Sequence, residues 1–365
     1  MSLADIKPTA FVRTKGHVRR PPALFVVSGL ILLLLLTIML AATVGAASIP
    51  FSRLPTALGF AAPAAGDTLL ARDQLILWSI RLPRIAVAAM IGGILGAAGA
   101  IMQGLFRNPL ADPALVGVSS GGAFAAASAI IISDSKYAEH IHFMQPILLP
   151  LAAFIGSLLT TIILYRIATR NGRTSIAIFL LAGLAIAAIA NAGIGLLVFI
   201  ADDRQLRDIT FWLLGSLSGA TWSKATTIVP VFALGAIAMI FIHRGLDVLI
   251  LGESEAFHSG VDVERLKRIC IVIISAMTGV AVSICGVVGF VGIVVPHLLR
   301  LMIGPGHRLL LPSSIVLGAV MLVGADTLAR TIVAPAEMPI GILTAAVGAP
   351  VFLLILLRQR GLVGL

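Results

Sequence analysis

Leu24–Val44 contains no charged residue, and neither do Ile147–Leu164 or Ile340–Leu357. Apolar blocks of this length limit the fold more than any other feature. About 20 apolar residues at about 1.5 Å rise per residue cross the hydrocarbon core of a bilayer. Of the 365 residues, 59% are hydrophobic and 12% charged, whereas soluble domains run at about 45–50% and about 25%. The apolar excess is gathered in blocks, so it is not simply a larger soluble core. A membrane β-barrel would instead show short alternating segments. The chain therefore reads as an all-α polytopic membrane protein.

Turn and charge signals divide it into ten spans: 23–47, 81–104, 114–132, 146–166, 175–200, 225–243, 265–285, 288–303, 310–329 and 340–357. They form one transmembrane domain, 23–358, between a tail at 1–22 and another at 359–365. The first apolar run follows Lys7, Arg13, Lys15, Arg19 and Arg20 and precedes Gly45-Ala46-Ala47, which has the look of a cleavage site. Its length exceeds the usual 7–15 residues of a signal peptide, so it reads as a retained span. With the N-terminus inside, an even count returns the C-terminus inside. Of the 26 Lys and Arg residues, the segments so assigned to the inside hold about two thirds, the positive-inside bias. The net charge of +10 thus belongs to loops facing a membrane, with no clustered basic face for nucleic acid.

Two loops stand out. Residues 201–224, ADDRQLRDITFWLLGSLSGATWSK, hold charges and then an apolar run too short to cross, the pattern of a half-helix against the membrane or in a vestibule. The inside connection at about 243–264 mixes small, acidic and apolar residues and predicts one or two short helices.

Small residues recur every four positions on two spans: Gly92, Gly96, Ala100, Gly104, and Gly183, Ala187, Asn191, Gly195. Such stripes let helix backbones approach closely where lipid supplies no hydrophobic drive between helices, or they form the wall of a pathway. Asn191, the polar member, favours the bundle interior. In LFRNPLADPALVGVSSGGAF (105–124), Asn108-Pro109 ends one helix region. Asp112 as N-cap and Pro113 at the first helical position start the next span. Ser119, Ser120, Gly121 and Gly122 then lie inside the membrane, where either helices cross closely or something passes.

Arg81, Arg84 and Arg330 mark the outer ends of spans 2 and 9. They either snorkel or receive carboxylates from a partner through the guanidinium fork. Asp326 and Arg330 suit a helical i,i+4 ion pair. Arg204 and Arg207 lie beside Asp202, Asp203 and Asp208, so they pair locally or Arg207 meets an anionic solute. Cys270 and Cys285 read as packing residues. The histidines show no metal-ligand spacing, and no permanent metal or cofactor is expected. No phosphate-cradling motif is present, so any ATP-driven step belongs to another chain.

IRLPR (80–84), FRNPLADPALVGVSSGG (106–122), FWLLGSLSG (211–219), LGESEAFHSGV (251–261), GFVGIVVPHLLR (289–300), HRLLLPSS (307–314), ADTLAR (325–330) and EMPIGILTAAVGAPVF (337–352) resemble the membrane permeases of iron-siderophore, haem and cobalamin ABC importers. The resemblance covers about residue 75 to the end. It implies a type II importer permease of ten helices, without catalytic residues of its own. It implies a homodimer around a central pathway, two cytoplasmic ATPase subunits that bind ATP-Mg, and a periplasmic binding protein, in a bacterial inner membrane with both termini cytoplasmic. By similarity, Gly252, Glu253, Ala256 and Gly260 belong to the coupling helices that dock on the ATPase. Arg81, Arg84 and Arg330 match positions that meet acidic residues of the binding protein. The stretch 119–122 corresponds to the start of a pathway-lining helix.

DDRQLRDITFWLLGSLSG is most similar to the haem branch, where an arginine matching Arg207 is expected to face the pathway. A two-fold axis supplies Arg207 twice, and haem carries two propionates, which implies a periplasmic haem-binding protein as partner. Ferric siderophores are also anionic, whereas cobalamin offers mostly neutral amides. An intramembrane enzyme would need a catalytic constellation facing a cavity, and a channel a repeated filter or charge ring; neither stands in the sequence.

Overall fold

The computed structural model describes residues 22–45, 47–62, 67–113, 117–133 and 145–363. The tail at 1–21, the end at 364–365 and the expected span start at 114–116 lie outside them. The chain folds into α1 (Ala23–Thr43), α2 (Leu54–Ala57), α3 (Leu70–Leu75), α4 (Leu82–Leu105), α5 (Val118–Ser133), α6 (Gln145–Ala168), α7 (Ile176–Ile200), α8 (Asp203–Leu213), α9 (Trp222–Leu249), α10 (Glu253–His258), α11 (Val263–Cys285), α12 (Val291–Ile303), α13 (His307–Ile332) and α14 (Ile340–Val363). A two-residue antiparallel hairpin, β1 (Thr169–Arg170) with β2 (Arg173–Thr174), joins α6 to α7. Each of the ten expected spans coincides with one helix. Among the described residues, seven helical stretches are long and apolar enough to cross a membrane, and α5, α12 and the start of α14 are shorter apolar helices.

Several boundaries differ from the expectation. The first helix stops at Thr43, where Val44 turns extended. Ile76–Arg81 is π-helical and joins α3 to α4 in one 36-residue stretch. Helix α9 runs past His243 to Leu249, so the inside loop is shorter than 243–264. Helix α14 continues to Val363 and absorbs most of the expected C-terminal tail. Helix α5 begins at Val118 after Gly117 at φ +80. The expected cap at Asp112-Pro113 precedes 114–116, which lie outside the described residues.

Helix α4 is the hub, packed against α13, α12, α9 and α11. Its small residues make that possible. A Cβ on Gly92 would drive into the carbonyl oxygen of Gly318, one on Gly96 into that of Ser314, one on Gly99 into that of Gly292, and one on Gly104 into the His307 ring. Helices α4 and α13 thus cross backbone to backbone, and this stripe is a packing seam. By contrast, α1 and α7 leave most of their apolar side chains exposed: Leu24, Phe25, Leu181, Ile189 and Phe199 are all open. A soluble domain would have to cover such surface.

Contacts between loops sort by membrane side. The end of α8 meets the end of α11 and the start of α14, and the α6–α7 hairpin meets α11, which also holds α10. All these pairs join loops that the span count places on the same side. In the connection between α1 and α4, Arg53 bridges Asp67 at 2.8 Å and Asp73 at 2.6 Å. Hydrogen bonding from Arg53 holds the Asp67 carboxyl below its ordinary range.

Candidate functional site

The sequence pointed to several places, and the structure treats them differently. Around Ser119–Gly122, α5 lies directly on α6. A Cβ on Gly121 would collide with Thr160 Oγ1, and one on Gly122 would crowd Ser157 Oγ and the carbonyl of Ala153. Ser119 is buried and Ser120 half-buried. Of the two readings of this stretch, the close crossing accounts for both glycines, so their place within the subunit is a helix seam and not an open wall. On α7, Gly183 is buried, but Asn191 and Gly195 are exposed, and nothing lies within 4 Å of a Cβ built on Gly195. That stripe does not pack within the subunit as the one on α4 does.

Arg81, Arg84 and Arg330 were expected at the outer surface, and the structure corrects this. Arg81 and Arg84 are only 4% and 7% exposed. Arg84 Nε donates to both carboxylate oxygens of Asp326 at 2.9 and 3.0 Å, and its Nη1 to Glu337 at 2.8 Å. Arg81 donates to the carbonyls of Ala42 and Ala47. Arg330 donates to the carbonyl of Ala41 at 2.5 Å and stands 3.6 Å from Asp326. The last turn of α1 has carbonyls without intrahelical partners and a partial negative charge, and two guanidinium groups satisfy it. The cluster binds α1, α4 and α13 into one unit, with Arg330 Nε left without a hydrogen-bond partner.

The loop at 201–224 builds a different kind of site. Asp202 caps α8 by accepting from the Gln205 amide at 2.8 Å, while the Gln205 side chain accepts from the Asp202 amide at 3.2 Å, a capping box. Ile209 is 1% exposed and anchors α8 on Ala123, Ala127 and Ile194. The far end is pinned by backbone. Ser216 donates to the Cys285 carbonyl at 2.8 Å, Ile340 to Gly215 at 2.9 Å and Gly341 to Leu214 at 3.0 Å. Gly215 at φ +74 and Gly286 at φ +73 supply the left-handed turns that this approach requires. The outward face of α8 carries Arg204, Arg207, Asp208 and Phe211, all exposed. Local pairing of the arginines does not occur: neither Arg204 nor Arg207 enters an ion pair among the described residues.

Sequence reading missed Lys224. It borders a groove of 500 Å³ with Asp208, Phe211, Trp212, Ser216 and Ser218, and it too has no ion pair among the described residues. Its proximity to an apolar helix start and a serine-rich loop gave no signal, because the groove forms only when α8 folds back on α11.

At the other end of the bundle, α10 stands in the loop between α9 and α11, where a short helix was expected. Gly252 at φ +137 and Gly260 at φ +82 bracket it, and Ala256 is fully buried. These conformations explain both glycines. Phe257 is 71% and Leu251 72% exposed, large apolar groups presented on a loop. Beside α10 opens a groove lined by Arg173, Ser254, Phe257, Asp262 and Glu264.

Residues 32–358 match the FecCD transport family. The chain belongs to the FecCD family. The hemin transport system permease protein of Yersinia pestis is 45% identical over 294 residues, covering 78% of this chain and 84% of that one. The cobalamin import system permease protein of Halobacterium salinarum is 43% identical over 287 residues, covering 79% and 74%. A solved metal-chelate type ABC transporter in an inward-facing conformation superposes with a TM-score of 0.78 at 30% identity, covering 92% of this chain and 99% of that one. This FecCD protein is thus a polytopic membrane permease subunit of an ABC importer with the type II fold. It is not an enzyme, and ATP hydrolysis belongs to a separate subunit that works with it alongside a substrate-binding partner.

Proposed function

We propose that this permease imports haem from periplasm to cytoplasm by alternating access. It works in a bacterial inner membrane as a homodimer with both termini cytoplasmic, served by two ATPase subunits that dock at α10 and by a periplasmic haem-binding protein. The observation that carries the cargo reading is Arg207, an exposed guanidinium without an ion pair on a helix fixed at both ends. A two-fold axis doubles it, which matches the two propionates of haem with bidentate donors. Lys224 adds a second free cation in a groove with Phe211 and Trp212, a combination suited to a flat, anionic, aromatic cargo. Exposed Asn191 on α7 belongs in this reading to the pathway wall. Ser119 and Ser120 border that wall, while Gly121 and Gly122 keep α5 close to α6.

Arg207→Ala is expected to lower ATP-dependent haem accumulation by about tenfold or more, the scale of one lost charge-assisted hydrogen bond. Assembly with the ATPase should be unaffected. Haem uptake equal to that of the unaltered permease would remove Arg207 from the pathway.

A second reading, cobalamin, draws on the Halobacterium relative at nearly the same identity. Its neutral amides give the free cations less to do, and under it Arg207→Ala would leave transport almost unchanged. A ferric siderophore, often anionic, would share the dependence on Arg207 but not the demand for a pair at propionate spacing.

A further inference from the structure

Lys267 sits one turn into α11 with its side chain 3% exposed. An ammonium has three donors and no acceptor. Here the three are matched by three acceptors: Glu253 Oε2 at 2.8 Å, Glu264 Oε1 at 3.0 Å and the Thr174 carbonyl at 3.1 Å. The acceptors come from three elements, α10, α11 and β2. Glu264 closes the cluster by accepting from the Thr174 amide at 2.8 Å through its other oxygen. A charge this deeply buried is costly unless fully paired, so α10 or β2 cannot leave α11 without taking an acceptor from it.

The position of the cluster is what makes it more than local packing. Helix α10 packs on α9 and α11 with one buried apolar side chain of its own, Ala256, between two glycine turns. The hairpin β1–β2 connects α6 to α7, which also pack on each other, and α11 packs on α6, α4 and α9. We propose that Lys267 is the clamp through which displacement of α10 is passed to the inner ends of α6, α7 and α11. It is a positioning residue for transport: it touches neither cargo nor ATP, and it keeps the coupling helix and the membrane helices in one rigid body. The proposal rests on ATPase docking at α10. It does not depend on the cargo.

The test uses the permease assembled with its ATPase in nanodiscs. The chain has two cysteines, Cys270 and Cys285, 0% and 3% exposed. Spin labels on R173C and S254C, both exposed positions, therefore report the distance between hairpin and α10 within a subunit. With Lys267 present, that distance is expected to be the same without nucleotide and with trapped ATP. In Lys267→Met it should broaden and change with nucleotide, while the ATPase still copurifies. In liposomes, cargo accumulated per ATP hydrolysed should fall by about tenfold, within the range of coupling changes produced by single residues. Lys267→Arg, which keeps the charge, should restore part of it.

Should Lys267→Met not fold, Glu253→Ala removes one acceptor, 44% exposed, and leaves Lys267 two partners. The same nucleotide-dependent distance is expected. A distance that stays fixed and narrow in both variants overturns the clamp, as does unchanged cargo per ATP in a variant whose distance has loosened. Failure of the unaltered permease to move haem overturns the cargo reading alone, because the distance measurement involves no cargo.

Discussion

Arg84→Met is expected to destabilise the permease by about 3–5 kcal/mol, the range for removing one partner of a buried ion pair. Asp326 is 3% exposed and would keep only Arg330, at 3.6 Å. A carboxylate so placed must strip water without a close cation, and Glu337 loses its partner at the same time. Thermal unfolding in detergent, followed by monodispersity on a sizing column, measures the loss. Adding Asp326→Leu to Arg84→Met should recover part of the stability, since exchanging both ions for apolar groups avoids the stranded charge. A single variant that unfolds at the parent temperature would mean that Arg84 is not the tie between α4 and α13.

Gly92→Val should be as damaging for a different reason. The obstacle is a backbone carbonyl, that of Gly318, and a Cβ on Gly318 meets the Gly92 carbonyl in return. A flexible side chain gives way, but two facing helices have to separate along their length. Overpacking of cores costs about 1–3 kcal/mol where neighbours can shift, and here the seam of the central helix cannot shift without breaking the contacts at Gly96 and Gly99. Loss of monodisperse protein is the expected outcome. Gly195→Ala supplies the control: nothing lies within 4 Å of its Cβ, and alanine in a helix interior is favoured over glycine by about 1 kcal/mol. A yield for Gly92→Val equal to that of Gly195→Ala would contradict the close crossing.

Much of the architecture was readable because membrane helices are defined by local composition. The ten apolar stretches, the half-helix at 203–213 and the short inside helix at 253–258 follow from lengths, charges and caps that lie next to one another in the chain. The glycine stripe of α4 was legible as a face for close packing, and its partner α13 was not, since nothing in either stretch names the other. The same limit explains Ser119–Gly122: small residues announce that something comes close, and only the fold says that it is α6. Arg84 shows it most sharply. Its carboxylate partners stand 242 and 253 residues away, so a pair of arginines around Leu-Pro looked like surface cations. The Asp326–Arg330 pair was visible from its spacing, yet at 3.6 Å it is the looser of the contacts Asp326 makes. Lys267 gave no signal beyond a basic residue near a membrane boundary, where snorkelling is the ordinary explanation.

The glycines of the inner and outer loops are a middle case. Gly252, Gly260 and Gly215 occur in motifs that suggested function, and the structure gives each a positive φ. Their role in shaping α10 and seating α8 is thus a backbone requirement, which complements the docking and transport roles proposed for those loops.

The most direct test of the cargo reading is transport itself. The permease would be reconstituted with its ATPase in liposomes and supplied with binding protein loaded with haem, a ferric siderophore or cobalamin. ATP-dependent accumulation of each inside the vesicles is the readout. Accumulation of haem, reduced by Arg207→Ala, is the predicted result. Accumulation of cobalamin or a siderophore without haem would contradict the pairing of Arg207 with propionates.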